Sequence, residues 1–291
     1  MQKQGSAFLD VLLFSNLFIA AAAATQVAFT YQLIGVQPNL ELIGLVFCAT
    51  LAFYSFSMLM AKPSNPLASP FQRVRWIFSH QNLFIALGLI AAVCGAVLSL
   101  SLSTPSQILL MTLGLFSLSY NLPLFRLGEK RIGLRHLPGV KLFLIALVWT
   151  LSVVLLPILE LQNTSATPVN LTQALLLIAQ RFLFFSAIVI PFDVRDLYQD
   201  QIHQLKTIPV ILGEKNAYRL CLGLLLGTFM LSGLLSPLLS SEFTAMSISI
   251  LISLWLIFKC TGQKNEYYYF FFLDGLLVLP WMLVSFLNVL T

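Results

Sequence analysis

Long apolar runs separated by short polar connectors repeat from one end of the chain to the other. They fall at about 8–30, 40–61, 82–101, 105–122, 140–159, 170–192, 216–235, 243–258 and 267–290. Each is near the roughly 20 residues that an α-helix needs to cross a hydrocarbon core. The pattern predicts an all-α, polytopic membrane bundle of about nine transmembrane helices, folded as a single domain over residues 1–291. The connector from Ser101 to Pro105 is short enough to fold the third and fourth spans into a tight helical hairpin. The first run lacks a small-residue cleavage site after a short apolar core, so it reads as a retained span and not as a signal peptide.

Composition excludes a soluble protein. Hydrophobic residues make up 58% of the chain and charged residues 9%, and the mean hydropathy is +0.90. Soluble domains carry about 25% charged residues. The formal net charge of +5 comes from Lys and Arg scattered over short connectors. It is therefore a topology signal and does not point to a nucleic-acid partner. The cysteines, Cys48, Cys94, Cys221 and Cys260, lie far apart in or beside apolar runs and form no Cys-x-x-Cys pair. They read as small core residues with no metal or disulfide role.

The basic residues fix an expected orientation. Lys3 precedes the first span, and Lys62, Arg73 and Arg75 follow the second. Arg126, Lys130, Arg131, Arg135 and Lys141 follow the fourth, while Arg195, Lys206, Lys215 and Arg219 follow the sixth. Lys259 and Lys264 follow the eighth, and the intervening connectors contain no Lys or Arg. The positive-inside rule makes that side cytoplasmic. The N-terminus is then cytoplasmic and the C-terminus lies on the opposite side, in an inner or plasma membrane.

One acidic stretch stands out on the same side: Asp193-Val194-Arg195-Asp196-Leu197-Tyr198-Gln199-Asp200 holds three of the chain's eleven acids. At about 100° per residue on a helix, Asp193, Asp196 and Asp200 fall within an arc of about 60°. Three like charges on one face repel unless a cation lies in front of them. Mg²⁺ takes one or two carboxylates and leaves positions for water and phosphate oxygens. The stretch reads as a Mg²⁺ and diphosphate site at a membrane surface, or else as a solvated helix end marking the lipid boundary.

From the sixth span onward the chain resembles the UbiA family of intramembrane prenyltransferases. Pro191 through Asp200, followed by Lys206-Thr207-Ile208-Pro209-Val210-Ile211-Leu212-Gly213, is similar to the family's second aspartate motif and its tail. Leu118-Ser119-Tyr120-Asn121-Leu122-Pro123, with Arg131, Arg135, Pro138, Lys141 and Trp149, is similar to the family's tyrosine–proline segment and the lysine-bearing start of the fifth span. The resemblance implies helices around a central cavity with a cytoplasmic cap. It also implies Mg²⁺-dependent transfer of a prenyl group from a polyprenyl diphosphate to a hydrophobic, often aromatic, acceptor within the lipid bilayer. Asp193, Asp196 and Asp200 are then the catalytic, Mg²⁺-binding residues. Lys206, Arg131, Arg135, Arg195 and Tyr120 are the diphosphate-binding residues.

The family's first aspartate motif is not matched. Where it is expected, at the end of the second span, Ser55 stands in place of an Asn, and Leu59 and Pro63 in place of acids. No Asp or Glu occurs between Glu41 and Glu129. This departure leaves open a noncatalytic relative that binds isoprenoid lipid or a partner. Arg181 and Asp274, charged residues within spans, leave open a small carrier that uses them as its substrate or proton site. Asn16, also within a span, reads as interhelical hydrogen-bonding glue.

Overall fold

The computed structural model describes residues 2–122, 125–127, 130–134, 139–164, 169–202, 205–260 and 264–290, with backbone alone at 2–6, 121, 125–127 and 130–132. Its contacts divide the chain into two compact units: Met1–Leu102 with Lys264–Val278, and Ser103–Gln263 with Leu279–Thr291.

The first unit contains α1 (Gln2–Phe14), α2 (Leu17–Ile34), α3 (Leu40–Met60), α4 (Gln72–Ser79) and α5 (Gln81–Ser99). Helix α3 packs along α2 and α5. Small residues allow the close approach. A Cβ built on Gly88 would lie 3.0 Å from the Cβ of Ser55, and one built on Gly95 would lie 3.4 Å from that of Cys48. In lipid, where hydrocarbon competes equally for apolar side chains, such close backbone packing is what associates helices. The outer face of α5 is apolar, with Leu89, Ile90, Val93 and Val97 all exposed.

The second unit contains α6 (Thr104–Asn121) and a short antiparallel hairpin of β1 (Phe125–Leu127) and β2 (Lys130–Ile132). Next come α7 (Val140–Thr150), a π-helical turn at Leu151–Leu155, and α8 (Leu156–Thr164). They are followed by α9 (Leu171–Arg195), α10 (Leu197–Ile202), α11 (Ile208–Leu212), α12 (Glu214–Leu235), α13 (Ser241–Lys259) and α14 (Leu279–Leu290). Helix α9 is the centre of this unit. It packs along α12 and α7, and α13 packs on α12 and α14.

Among the described residues, seven helices are long and apolar enough to cross a membrane: α2, α3, α5, the run Val140–Thr164, α9, α12 and α13. The protein is an integral, multi-pass membrane protein with an all-helical bundle. Two of the expected spans are interrupted. The first run divides at Asn16, whose left-handed backbone (φ 71°) separates α1 from α2. Asn tolerates this conformation better than most residues. The last run is a π-helical turn at Tyr268–Leu273, then three successive tight turns closing at Leu276, Leu277 and Val278, before α14 begins.

These interruptions expose backbone groups that lipid cannot satisfy. Side chains take their place. The Gln26 amide donates to the carbonyl of Leu277. Pro191 lies inside α9 and has no N–H to give the carbonyl of Ala187; the Cys221 thiol donates to that carbonyl instead, at 3.5 Å. Several buried hydroxyls are satisfied along their own helices: Thr228 donates to Leu224 at 2.8 Å, and Ser249 to Ala245 at 2.7 Å. The cysteines are not all core residues, because Cys94 is exposed while Cys221 and Cys260 are buried.

Candidate functional site

The acidic stretch continues the line of α9. The Asp196 N–H donates to Phe192 at 3.1 Å, and the Asp200 N–H donates to Asp196 at 2.9 Å, so helical hydrogen bonding passes from α9 into α10. Asp193 and Asp200 are buried, at 1% and 5% exposure. A carboxylate at that depth needs a cation or several donors. The cation is Lys141 on α7. Its Nζ lies 2.7 Å from Asp193 Oδ1 and 3.7 Å from Asp200 Oδ2.

Local backbone geometry brings Lys141 there. The Leu205 N–H donates to the Asp200 carbonyl at 2.8 Å, turning the chain back after α10. The next carbonyl, that of Lys206, accepts from the Gly139 N–H at 2.8 Å. Gly139 adopts φ 70°, open to glycine at no steric cost, and α7 starts one residue later. The segment after the acids thus clamps the start of the helix that carries their counter-ion. Thr207 and Pro209 then open α11, with proline in the first turn where its missing N–H costs nothing. Burial pushes the Asp200 carboxyl above the usual carboxylate range; Lys141 and the Thr207 hydroxyl oppose the shift and Asp196 adds to it. Tyr120 lies at the end of α6.

Asp196 has a different partner from the other two acids. Arg195 grips it in a two-point ion pair, Nε to Oδ1 at 2.8 Å and Nη2 to Oδ2 at 3.0 Å. Both side chains remain partly exposed. Among the described residues, no three His, Cys, Asp or Glu side chains gather as a ready-made metal-ligand set. The Lys206 side chain is exposed, and this residue enters the site through its carbonyl. The backbone of Arg131 lies in β2, its side chain lies outside the described residues, and Arg135 lies outside them altogether. Lys141 is the residue that sequence reasoning failed to assign to the site. The available signal was a lysine placed one residue inside an apolar span.

No protein-family model and no curated protein matches this chain. Solved structures do. A UbiA homologue from Aeropyrum pernix K1 in its apo form superposes with a TM-score of 0.66 at 14% identity, covering 96% of this chain and 98% of its own. A UbiA homologue from Archaeoglobus fulgidus bound to GPP and Mg²⁺ gives 0.60 at 11% identity, covering 95% and 99%. A digeranylgeranylglyceryl phosphate synthase gives 0.57 at 16% identity, covering 99% and 100%. The chain has the UbiA fold.

In this UbiA-fold chain the region of the unmatched first motif is a polar network built on Asn16, Ser55 and Arg73. Ser55 is buried and accepts from the Asn16 amide at 3.4 Å. The Asn16 carbonyl oxygen accepts from the Arg73 guanidinium, which also lies 4.4 Å from the centre of the Phe270 ring. Asn16 therefore ties α2 to α3 and α4. Glu266 holds the start of α4 by accepting the Arg73 N–H at 2.9 Å and that of Gln72. Of the charged residues inside spans, Arg181 is fully buried on α9 and its Nη1 approaches Met246 Sδ at 3.8 Å. Asp274 follows the π-helical turn and is half-buried.

The donor chemistry of the second acidic stretch fits a divalent cation. Among the described residues, Asp193 Oδ2 and Asp200 Oδ2 are buried oxygens without a hydrogen-bond donor, the latter facing Lys141 at 3.7 Å. Mg²⁺ characteristically takes one or two carboxylates and completes its shell with phosphate and water oxygens. Two carboxylates meet that requirement without an all-protein cage.

Proposed function

We propose that the protein transfers a prenyl group from a polyprenyl diphosphate to a hydrophobic acceptor inside the membrane, releasing diphosphate, with Mg²⁺ as its cofactor. The observation that carries this reading is the buried Asp193–Lys141–Asp200 constellation at the end of α9, on a fold whose solved examples include one bound to GPP and Mg²⁺. Asp193 and Asp200 would hold the cation through their spare oxygens. When bound, Mg²⁺ supplies Lewis-acid neutralisation of the diphosphate oxygens.

The chain's own residues do the rest. Lys141 neutralises charge on the diphosphate from α7, and the Tyr120 hydroxyl orients it by donating a hydrogen bond from α6. Lys206, Arg131 and Arg135 are further diphosphate contacts in this reading. Arg195 keeps Asp196 engaged in its own pair. The allylic C–O bond breaks with its electron pair leaving on diphosphate, the acceptor forms the new bond, and the acceptor gives up a proton. A buried, water-poor site protects the allylic cation from capture by water. An aromatic ring is the acceptor class suggested by the family resemblance.

One specific observation favours a second reading, a noncatalytic isoprenoid-binding relative: the chain carries no Asp or Glu between Glu41 and Glu129. Mg²⁺-dependent diphosphate release by the purified protein in lipid vesicles separates the two. Release above the protein-free control from at least one of a series of prenyl diphosphates, supplied with aromatic acceptors and lost in Asp200→Asn, is the expected result. Binding of prenyl diphosphates without release by any pair supports the second reading. Absence of both binding and release overturns both.

A further inference from the structure

Lys141 satisfies the two acids unequally. It makes a close ion pair with Asp193 Oδ1 at 2.7 Å, but at 3.7 Å from Asp200 Oδ2 it is beyond good hydrogen-bonding distance. One buried oxygen on each carboxylate remains without a hydrogen-bond partner. Two buried negative charges are thus matched by one ammonium, and the pair keeps capacity for more positive charge. The ammonium also stands between the carboxylates, in the space that a bridging cation would use. A lysine head is a compact point charge on a flexible stem, so it can leave without rearranging a helix.

We infer that Lys141 is a resident counter-ion that competes with a single divalent cation for Asp193 and Asp200, and that it passes to the diphosphate when that cation arrives. The inference rests on the proposed prenyl-diphosphate reading and extends it in two ways. It sets the capacity of this half-site at one divalent ion per chain, because among the described residues Lys141 engages two acids and Arg195 engages the third, Asp196. It also gives Lys141 a dual position: on the carboxylates in the empty state and on the substrate in the loaded state. The physical reason is charge balance. An ammonium and a divalent ion repel when they share two carboxylates, whereas a diphosphate supplies new oxygens for the displaced ammonium.

The test uses Mn²⁺ as the probe, titrated into the purified full chain in lipid vesicles without diphosphate and followed by electron paramagnetic resonance. The unsubstituted protein is expected to bind one Mn²⁺ per chain, and Asp193→Asn to lose that ion. Lys141→Met removes the competitor and is expected to bind Mn²⁺ about tenfold more tightly, the scale of one contact-distance charge removed. Lys141→Gln, which keeps hydrogen-bonding capacity, provides the same reading if the Met variant does not fold. Lys141→Arg keeps the charge and is expected to stay near the unsubstituted value. Inorganic diphosphate should then tighten Mn²⁺ binding less in Lys141→Gln than in the unsubstituted protein, because the ammonium it would recruit is gone.

Unchanged or weaker Mn²⁺ binding in both uncharged variants overturns the inference, as does binding of two ions or of none. The transfer reaction is measured separately. Tightened Mn²⁺ binding with no prenyl transfer leaves the counter-ion role standing and removes the transferase reading. Transfer with unaltered Mn²⁺ binding does the reverse.

Discussion

Asp193→Asn is the substitution that most directly tests the organisation of the second unit. It removes one charge from a buried pair whose separation is 2.7 Å and leaves the rest of the site in place. Breaking a buried ion pair from one side costs about 3–5 kcal/mol, because the remaining charge stays desolvated. Two features lower that figure here. The Lys141 side chain is 18% exposed and retains Asp200 at 3.7 Å, and the Asn carbonyl can still accept a hydrogen bond. The expected loss is about 2 kcal/mol, or a melting temperature lower by about 3 °C for a chain of this size. The assay follows labelling of buried thiols during heating in lipid or detergent with chelator present. In a Cys48→Ala/Cys94→Ala background, the remaining thiols are Cys221 and Cys260, both buried in the second unit, so labelling reports that unit. Combining Asp193→Asn with Lys141→Met should cost less than the sum of the single changes, since each removes the other's uncompensated partner. A shift under about 1 °C, or strictly additive effects, would refute the claim that this pair holds the end of α9 to the start of α7.

Two further substitutions check adjacent parts of the argument. Asp196→Asn disrupts a partly exposed pair, so thermal unfolding should register a loss under about 1 kcal/mol; a loss as large as that of Asp193→Asn would place Asp196 with the buried acids after all. Cys221→Ala removes the donor to the Ala187 carbonyl that Pro191 leaves open and should cost about 1–2 kcal/mol, while Cys221→Ser, which still donates, should cost less. Scanning calorimetry compares the two, and equal losses would show that the thiol acts through volume and not through its hydrogen bond.

The apolar runs locate most helices to within a few residues: 40–61 became Leu40–Met60 and 170–192 became Leu171–Arg195. Both depend on local properties, the length of the run and the polar residues that stop it. The breaks in the first and last runs depend on distant partners. Asn16 leaves the helical path where Ser55 and Arg73 receive its side chain, and the turn at Leu277 is completed by Gln26, far away in sequence. No spacing within either run encodes those partners. The site divides along the same line. Helical spacing correctly puts Asp193 and Asp200 together. It does not reveal that Arg195 engages Asp196 while Lys141 engages the other two, because periodicity is blind to which cation each acid meets.

Lys141 was illegible as a counter-ion for a related reason. Its reach to Asp193 is set by Gly139 and by the bond from that residue to the Lys206 carbonyl, so it follows from how the tail of the acidic motif folds back. That dependence gives the Lys-Thr-x-Pro segment a physical role beyond its own side chains: it fixes the position of the cation. The departure at Ser55 then has a chemical consequence. The first unit offers an amide, a hydroxyl and the Arg73 guanidinium in that region, while the Glu266 carboxylate there is taken up by two backbone N–H groups at the start of α4. In the proposed reaction Asp193 and Asp200 of the second unit hold the divalent ion, and one such ion cannot cancel all the charge of a leaving diphosphate. The remaining neutralisation must come from fixed cations, and Lys141 is the one that the fold already holds at those two carboxylates.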